Sequence, residues 1–155
     1  MLKNFGITQG RLVPSEKKNR IQYFPIKNWK KEMSLMSKNK IRKLEWTINY
    51  EKINQNPLFN KDQLNEILYL KKKFNIEIQS VTCDFFMEKP FFKKNNKFKL
   101  NCLKKIIENG TKIGIKYFIL PLVDNSSIKN KKQEKFLINQ IKKFKNYLNY
   151  NQKIL

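Results

Sequence analysis

Polar side chains follow or end four short apolar runs of this chain, and their types are suited to binding a small molecule. In chain order they are Gln9, Arg11, Glu45, Asp84, Asp124 and Asn125. Carboxylate and amide oxygens that converge can hold a divalent metal ion or the hydroxyl groups of a sugar. Arg11 is suited to grip a phosphate or carboxylate through two parallel hydrogen bonds.

Each of these side chains also has a structural interpretation. A carboxylate or amide at such a position can cap the following helix or pair with a lysine. Arg11 can instead form a salt bridge with Glu45 on the neighbouring strand. The loop from Val13 to Trp29 is long for a strand-to-helix connection, which is typical of a substrate cover.

The chain has no histidine among its 155 residues. This excludes Ser-His-Asp and Cys-His nucleophile systems and HExxH zinc sites within it. Cys83 and Cys102 lack CxxC spacing, so we expect buried free thiols rather than a zinc site. Catalysis would have to use carboxylate, lysine or tyrosine side chains, or a group supplied from elsewhere.

Strand-like runs recur at a nearly constant interval, and a helical pattern follows each of the first four. The runs start at residues 5, 42, 78, 117 and 153, which are 36 to 39 residues apart. They are Phe5–Thr8, Arg42–Ile48, Ile78–Thr82, Tyr117–Val123 and Lys153–Leu155. Strands and helices that alternate at this period predict βα units and a parallel sheet.

Apolar side chains at helical spacing form one stripe after each of the first four runs and predict core-facing helices. The stripes are Trp29, Met33 and Met36; Leu64, Ile67, Leu68 and Phe74; Leu103, Ile106, Ile107 and Ile113; and Leu137, Ile141, Phe144 and Leu148. Asn60, followed by Gln63, predicts a helix start. Asn39, Asn75 and Gly114 predict helix ends in the left-handed conformation just before a strand.

Two architectures use repeated βα units, the doubly wound sheet and the closed (β/α)8 barrel. The turn after the first strand, Gln9–Leu12, has no GxGxxG or GxxxxGK[ST] motif, which disfavours a nucleotide-binding doubly wound fold. A barrel has eight units and about 250 residues. We therefore predict an α/β chain in which residues 1–155 form one domain, the first four βα units of a TIM-barrel type fold with parallel strands.

The formal net charge is +22, and lysine supplies 31 of the 34 cations. Surfaces selected to grip phosphate backbones usually use more arginine, so nucleic acid is not the expected partner. A basic surface does favour encounter with small anions such as sugar phosphates. The start of the chain has no apolar leader region, and no run is long enough for a membrane helix, so we expect a cytoplasmic protein.

An ordered set of segments resembles one known family. The segments are GITQGRL (Gly6–Leu12), RIQYFP (Arg20–Pro25), LEWT (Leu44–Thr47), NPL (Asn56–Leu58), SVTCDFFM (Ser80–Met87) and LPLVDNSS (Leu120–Ser127). In this order they are similar to the N-terminal half of a bacterial sugar phosphate isomerase/epimerase with a xylose isomerase-like TIM barrel. The similarity extends over essentially the whole chain.

The resemblance implies a divalent-metal enzyme that moves a proton between adjacent carbons of a sugar or sugar phosphate. In the family, the carboxylates that bind the metal and take the proton lie mostly from the fifth strand onward, where this sequence ends. The resemblance therefore assigns no catalytic residue and no metal ligand here, and we expect this chain alone to be inactive. The remaining candidates form the substrate-binding wall of the pocket: Gln9, Arg11, Glu45, Asp84, Asp124 and Asn125.

Two alternatives to an isomerase/epimerase remain open. One is a relative of the endonuclease IV-like enzymes that act on abasic DNA, which the charge favours and the absence of histidine disfavours. The other is a non-catalytic half-barrel. Because a half-barrel leaves strand edges unpaired, we expect either self-association or pairing with a complementary C-terminal half.

Overall fold

The computed structural model describes residues 5–15, 22–93 and 97–155. Strands and helices alternate along the chain, and every strand lies within or close to a run that the sequence predicts. The strands are β1 (Gly6–Thr8), β2 (Lys43–Thr47), β3 (Glu77–Thr82), β4 (Tyr117–Ile119) and β5 (Lys153–Ile154). The helices are α1 (Trp29–Lys38), α2 (Lys61–Phe74), α3 (Asp84–Glu88), α4 (Lys97–Lys112) and α5 (Lys131–Lys143). The predicted α/β class is confirmed.

The strands form one parallel sheet in the order β1-β2-β3-β4-β5. A doubly wound sheet reverses its order at a switch point, and this order contains no reversal. Register pairs connect Thr8 with Glu45, Glu45 with Ser80, Ser80 with Tyr117, and Tyr117 with Lys153. These five side chains thus form one row across a single face of the sheet, since paired residues of parallel strands point the same way.

The opposite face carries the hydrophobic core. Leu44 and Trp46 of β2 are buried there, and the Trp46 ring lies 5.2 Å from that of Phe24 and 5.9 Å from that of Trp29 in α1. Asn56 accepts a hydrogen bond from the Trp46 indole at 3.1 Å, so the one polar atom of this large side chain is satisfied. The core also takes in the predicted stripes of α1 and α4 and, from the stripe of α2, Leu64 and Ile67.

Most predicted helix ends are confirmed. The Asn60 side chain accepts hydrogen bonds from the backbone of Asp62 and Gln63 and caps the start of α2. Asn75 (φ 51°) and Gly114 (φ 92°) adopt the left-handed conformation. Asn39 also ends its helix, because α1 stops at Lys38, but its φ is −91° and Lys40 takes the left-handed conformation instead.

Two further predictions differ from the structure. β4 ends at Ile119 rather than at Val123, because Pro121 has no N–H to continue the ladder. Leu68 is 39% exposed, since it lies about 100° around the α2 axis from the fully buried Ile67. None of the helices in the described ranges combines the length and the apolar character needed to cross a membrane.

Candidate functional site

Gln9 lies at the carboxyl end of β1 and is fully buried. Its backbone N–H donates to the carbonyl of Glu45, and its side-chain oxygen accepts from the N–H of Thr47 at 3.4 Å. The Gln9 amide nitrogen and the Thr47 hydroxyl are buried without a hydrogen-bond partner. Such orphaned groups are costly, and here they leave a donor and a hydroxyl unused at the candidate site.

The turn after Gln9 is held by a carboxylate that sequence reasoning missed. Glu32 of α1 is fully buried, and its two oxygens accept from the Gly10 N–H at 2.9 Å each. One of them also accepts from the Leu12 N–H at 3.0 Å. Gly10 (φ 90°) is required here, because a Cβ would lie 2.4 Å from the Tyr23 carbonyl oxygen. The backbone on both sides of Arg11 is therefore fixed.

Arg11 is exposed at the rim of the sheet. The alternative pairing with Glu45 is not formed, because the Glu45 carboxylate accepts instead from the hydroxyls of Thr8 at 3.5 Å and Ser80 at 3.1 Å. Within the described part of the chain, no acidic side chain forms an ion pair with Arg11.

Glu45 points to the open face of the sheet. A recess of about 330 Å³ lies over this face. The lining residues are Gly6, Ile7, Thr8, Lys43, Leu44, Glu45, Gln79, Ser80 and Tyr117. The hydroxyl, carboxylate and ammonium groups that line this recess suit a polar occupant better than an apolar one.

Asp84 begins α3 directly after β3 and is buried, with 8% of its surface exposed. The preceding thiol, Cys83, is completely buried. Burial raises the pKa of Cys83, and the nearby charges of Asp84 and Glu45 raise it further. Cys102 is also buried and free, and burial raises its pKa as well. Both thiols stay protonated at neutral pH, and the prediction of buried free thiols is confirmed.

Asp124 and Asn125 are exposed in a 3-10 turn after β4. Asp124 has a left-handed φ of 50°. Ser126 anchors the turn, because its buried hydroxyl hydrogen-bonds with the carbonyls of Pro121 and Val123. The turn packs against α3, so the connections that follow β3 and β4 are in contact.

The loop from Val13 to Trp29, which the sequence predicts to cover the substrate, is only partly described. Arg20 and Ile21 of the RIQYFP segment lie outside the described residues. Its end is packed, because Tyr23 and Phe24 are buried and the Phe24 N–H donates to the Asn49 side chain at 2.6 Å.

Five of the six predicted residues lie at the carboxyl ends of β1, β3 and β4 or in the turns that follow, and Glu45 lies in the middle of β2. Gln9, Glu45 and Asp84 are buried or half-buried beneath the rim, and the exposed members are Arg11, Asp124 and Asn125. Among the described residues, no three His, Cys, Asp or Glu side chains are grouped as possible metal ligands. What the arrangement can do is bind anions and hydroxyl groups.

Comparison with models of known protein families gives no match, and comparison with curated proteins gives none.

Proposed function

We propose that the chain is the N-terminal half of a sugar phosphate isomerase/epimerase with a xylose isomerase-like (β/α)8 barrel. The observation that carries this proposal is the position of five polar residues at or after the carboxyl ends of parallel strands, with the sixth, Glu45, in the middle of β2. In (β/α)8 barrels the active site is built at this edge. The sequential strand order and the core on one face support the barrel over other parallel sheets.

In this proposal the chain supplies the substrate-binding wall of the pocket. Arg11 binds the phosphate or another anionic group of the sugar, because its guanidinium is exposed and its backbone is held by Glu32. Asp84, Asp124 and Asn125 accept hydrogen bonds from sugar hydroxyls. The metal and the carboxylates that transfer the proton are assigned to strands beyond those described.

The open face and the outer edges of β1 and β5 support a second part of the proposal. Within the described sheet, each of these edge strands pairs on one side only. A complementary set of strands would pair with the edges and fill the recess of about 330 Å³. The chain then acts as one half of a barrel closed by another half.

The test is to measure, by NMR titration of the full chain, the binding of a pentose 5-phosphate and of the unphosphorylated pentose. Arg11→Ala should weaken binding of the phosphate by roughly 10- to 100-fold, since a hydrogen bond to a charged group contributes about 1.5–3 kcal/mol. Binding of the unphosphorylated sugar should change little.

Arg42→Ala is the matched control. Arg42 is exposed at the opposite end of the sheet, where it donates to the Asn75 carbonyl. Its loss removes the same charge and should change the affinity less than about twofold. Equal weakening by both substitutions would mean that net charge alone attracts the ligand, and the assignment of Arg11 would be wrong.

A further inference from the structure

A second recess, of about 230 Å³, lies at the opposite end of the sheet from the candidate site. It is lined by Lys71 of α2, by the first residues of β3 including Glu77, and by Gly114 and Lys116 of the segment that enters β4. These groups lie at the amino ends of the strands, so they take no part in the proposed sugar pocket at the carboxyl ends.

The Lys71 amine is held in this recess and is partly withdrawn from water. It donates a hydrogen bond to the Ile113 carbonyl near the end of α4. Burial lowers the pKa of Lys71, while the charge of Glu77 opposes this effect. A lower pKa increases the fraction of neutral amine, and the neutral amine is the nucleophile. An amine can donate one N–H to a carbonyl and still keep its lone pair for attack.

Gly114 leaves the amine uncovered. A Cβ at this position would lie 3.3 Å from the Lys71 Nζ, and the left-handed φ of 92° favours glycine. Lys116 adds a second ammonium group to the lining. The charged side chains that line the recess are therefore Lys71, Glu77 and Lys116, and the two ammonium groups favour a small anion over a neutral molecule.

We propose that Lys71 is a site of non-enzymatic acylation by small acyl phosphates. The Lys71 lone pair attacks the acyl carbon, and a C–N bond forms. The C–O bond to phosphate breaks, inorganic phosphate leaves with the electron pair, and the ammonium proton passes to water. The product is a neutral amide, so each acylation removes one positive charge and the charged partner of Glu77 in this recess.

Acetyl phosphate is the probe, and acetylation is measured residue by residue by mass spectrometry of the folded full chain at neutral pH. Lys72 is the internal control, because it is the exposed next residue of the same helix. Lys71 should be acetylated severalfold faster than Lys72, because the basic recess holds the anionic reagent beside its amine and burial lowers its pKa. Equal or slower acetylation of Lys71 would overturn the proposal.

Two further measurements separate local chemistry from general reactivity. Glu77→Gln removes the charge that favours the protonated amine, so acetylation of Lys71 should become about two- to fivefold faster. Glu134→Gln makes an equal change of charge on the exposed first turn of α5 and should leave the rate of Lys71 acetylation unchanged. In concentrated urea, Lys71 and Lys72 should react at equal rates. A slower reaction in Glu77→Gln, or a difference that persists in urea, would contradict the role of the folded recess.

Discussion

Glu32 shows how a single residue can organise a site without touching a ligand. Its carboxylate accepts from two backbone N–H groups, those of Gly10 and Leu12, in the turn that carries Arg11. No pattern in the sequence indicates this role, because Glu32 stands beside the apolar Met33 of a helix whose exposed face also carries charges. A glutamate in an amphipathic helix is usually solvated, and only the long-range contact between α1 and the turn after β1 distinguishes this one.

Glu32→Gln should destabilise the fold by about 2–3 kcal/mol, because an amide accepts with one oxygen and turns its NH2 group toward backbone donors. Chemical unfolding in urea, followed by circular dichroism, measures the change in the free energy of unfolding. Glu108→Gln is the control, since Glu108 is exposed on α4 and takes part only in a surface ion pair with Lys104 at 3.7 Å. Its loss should cost less than about 1 kcal/mol. Equal losses of unfolding free energy in the two variants would show that Glu32 does not have this structural role.

At the scale of elements, the sequence predicted what depends on local periodicity and missed what depends on distant contacts. The interval between apolar runs located all five strands, and the side chain of Asn60 located the start of α2. The helix α3, only five residues long, has too few residues to show a period. α1 ends at Lys38 next to Asn39, but the left-handed residue is Lys40, while the Asn39 amide hydrogen-bonds back to the Leu35 carbonyl.

The same distinction explains which parts of the candidate site could be predicted. The six polar residues were chosen by the rule that strand ends carry function, and the structure places five of them at or after strand ends but Glu45 in the middle of β2. The hydroxyl partners of Glu45 could not be predicted, because Thr8 and Ser80 become its neighbours only through the strand register. That the six residues line a sugar-binding pocket stays a prediction.

Alanine substitutions at two glycines distinguish the energetic cost of a left-handed backbone from that of a steric clash. Both Gly10 and Gly114 have φ near 90°. At Gly114 an added Cβ meets only the flexible tip of Lys71, so Gly114→Ala should cost about 1–2 kcal/mol from backbone strain. At Gly10 the Cβ would strike the Tyr23 carbonyl oxygen at 2.4 Å, so Gly10→Ala should be clearly more destabilising. Thermal unfolding measures the melting temperatures of the two variants. Equal melting temperatures would mean that the backbone of the turn after β1 shifts enough to relieve the clash at Gly10.

At the scale of the whole molecule, the open face and the two edges favour association, and the charge opposes it. The outer edges of β1 and β5 present backbone groups that a further strand could pair with. The net charge of +22 makes two copies repel each other. Salt shortens the range of that repulsion, from about 30 Å at 0.01 M to about 8 Å at 0.15 M, and leaves backbone pairing almost unaffected.

The purified chain should therefore be monomeric at low salt and associate as salt is added. Sedimentation velocity at about 0.02 M and about 0.5 M NaCl measures the mass under both conditions, with the screening length falling severalfold between them. Thr8→Pro supplies the control, because proline removes a backbone donor from the edge strand β1 and should reduce association at high salt if it occurs through that edge. Circular dichroism establishes that the variant keeps its fold. A monomer at every salt concentration would show that these edges need no partner, and closure by a second set of strands would then lose its physical basis.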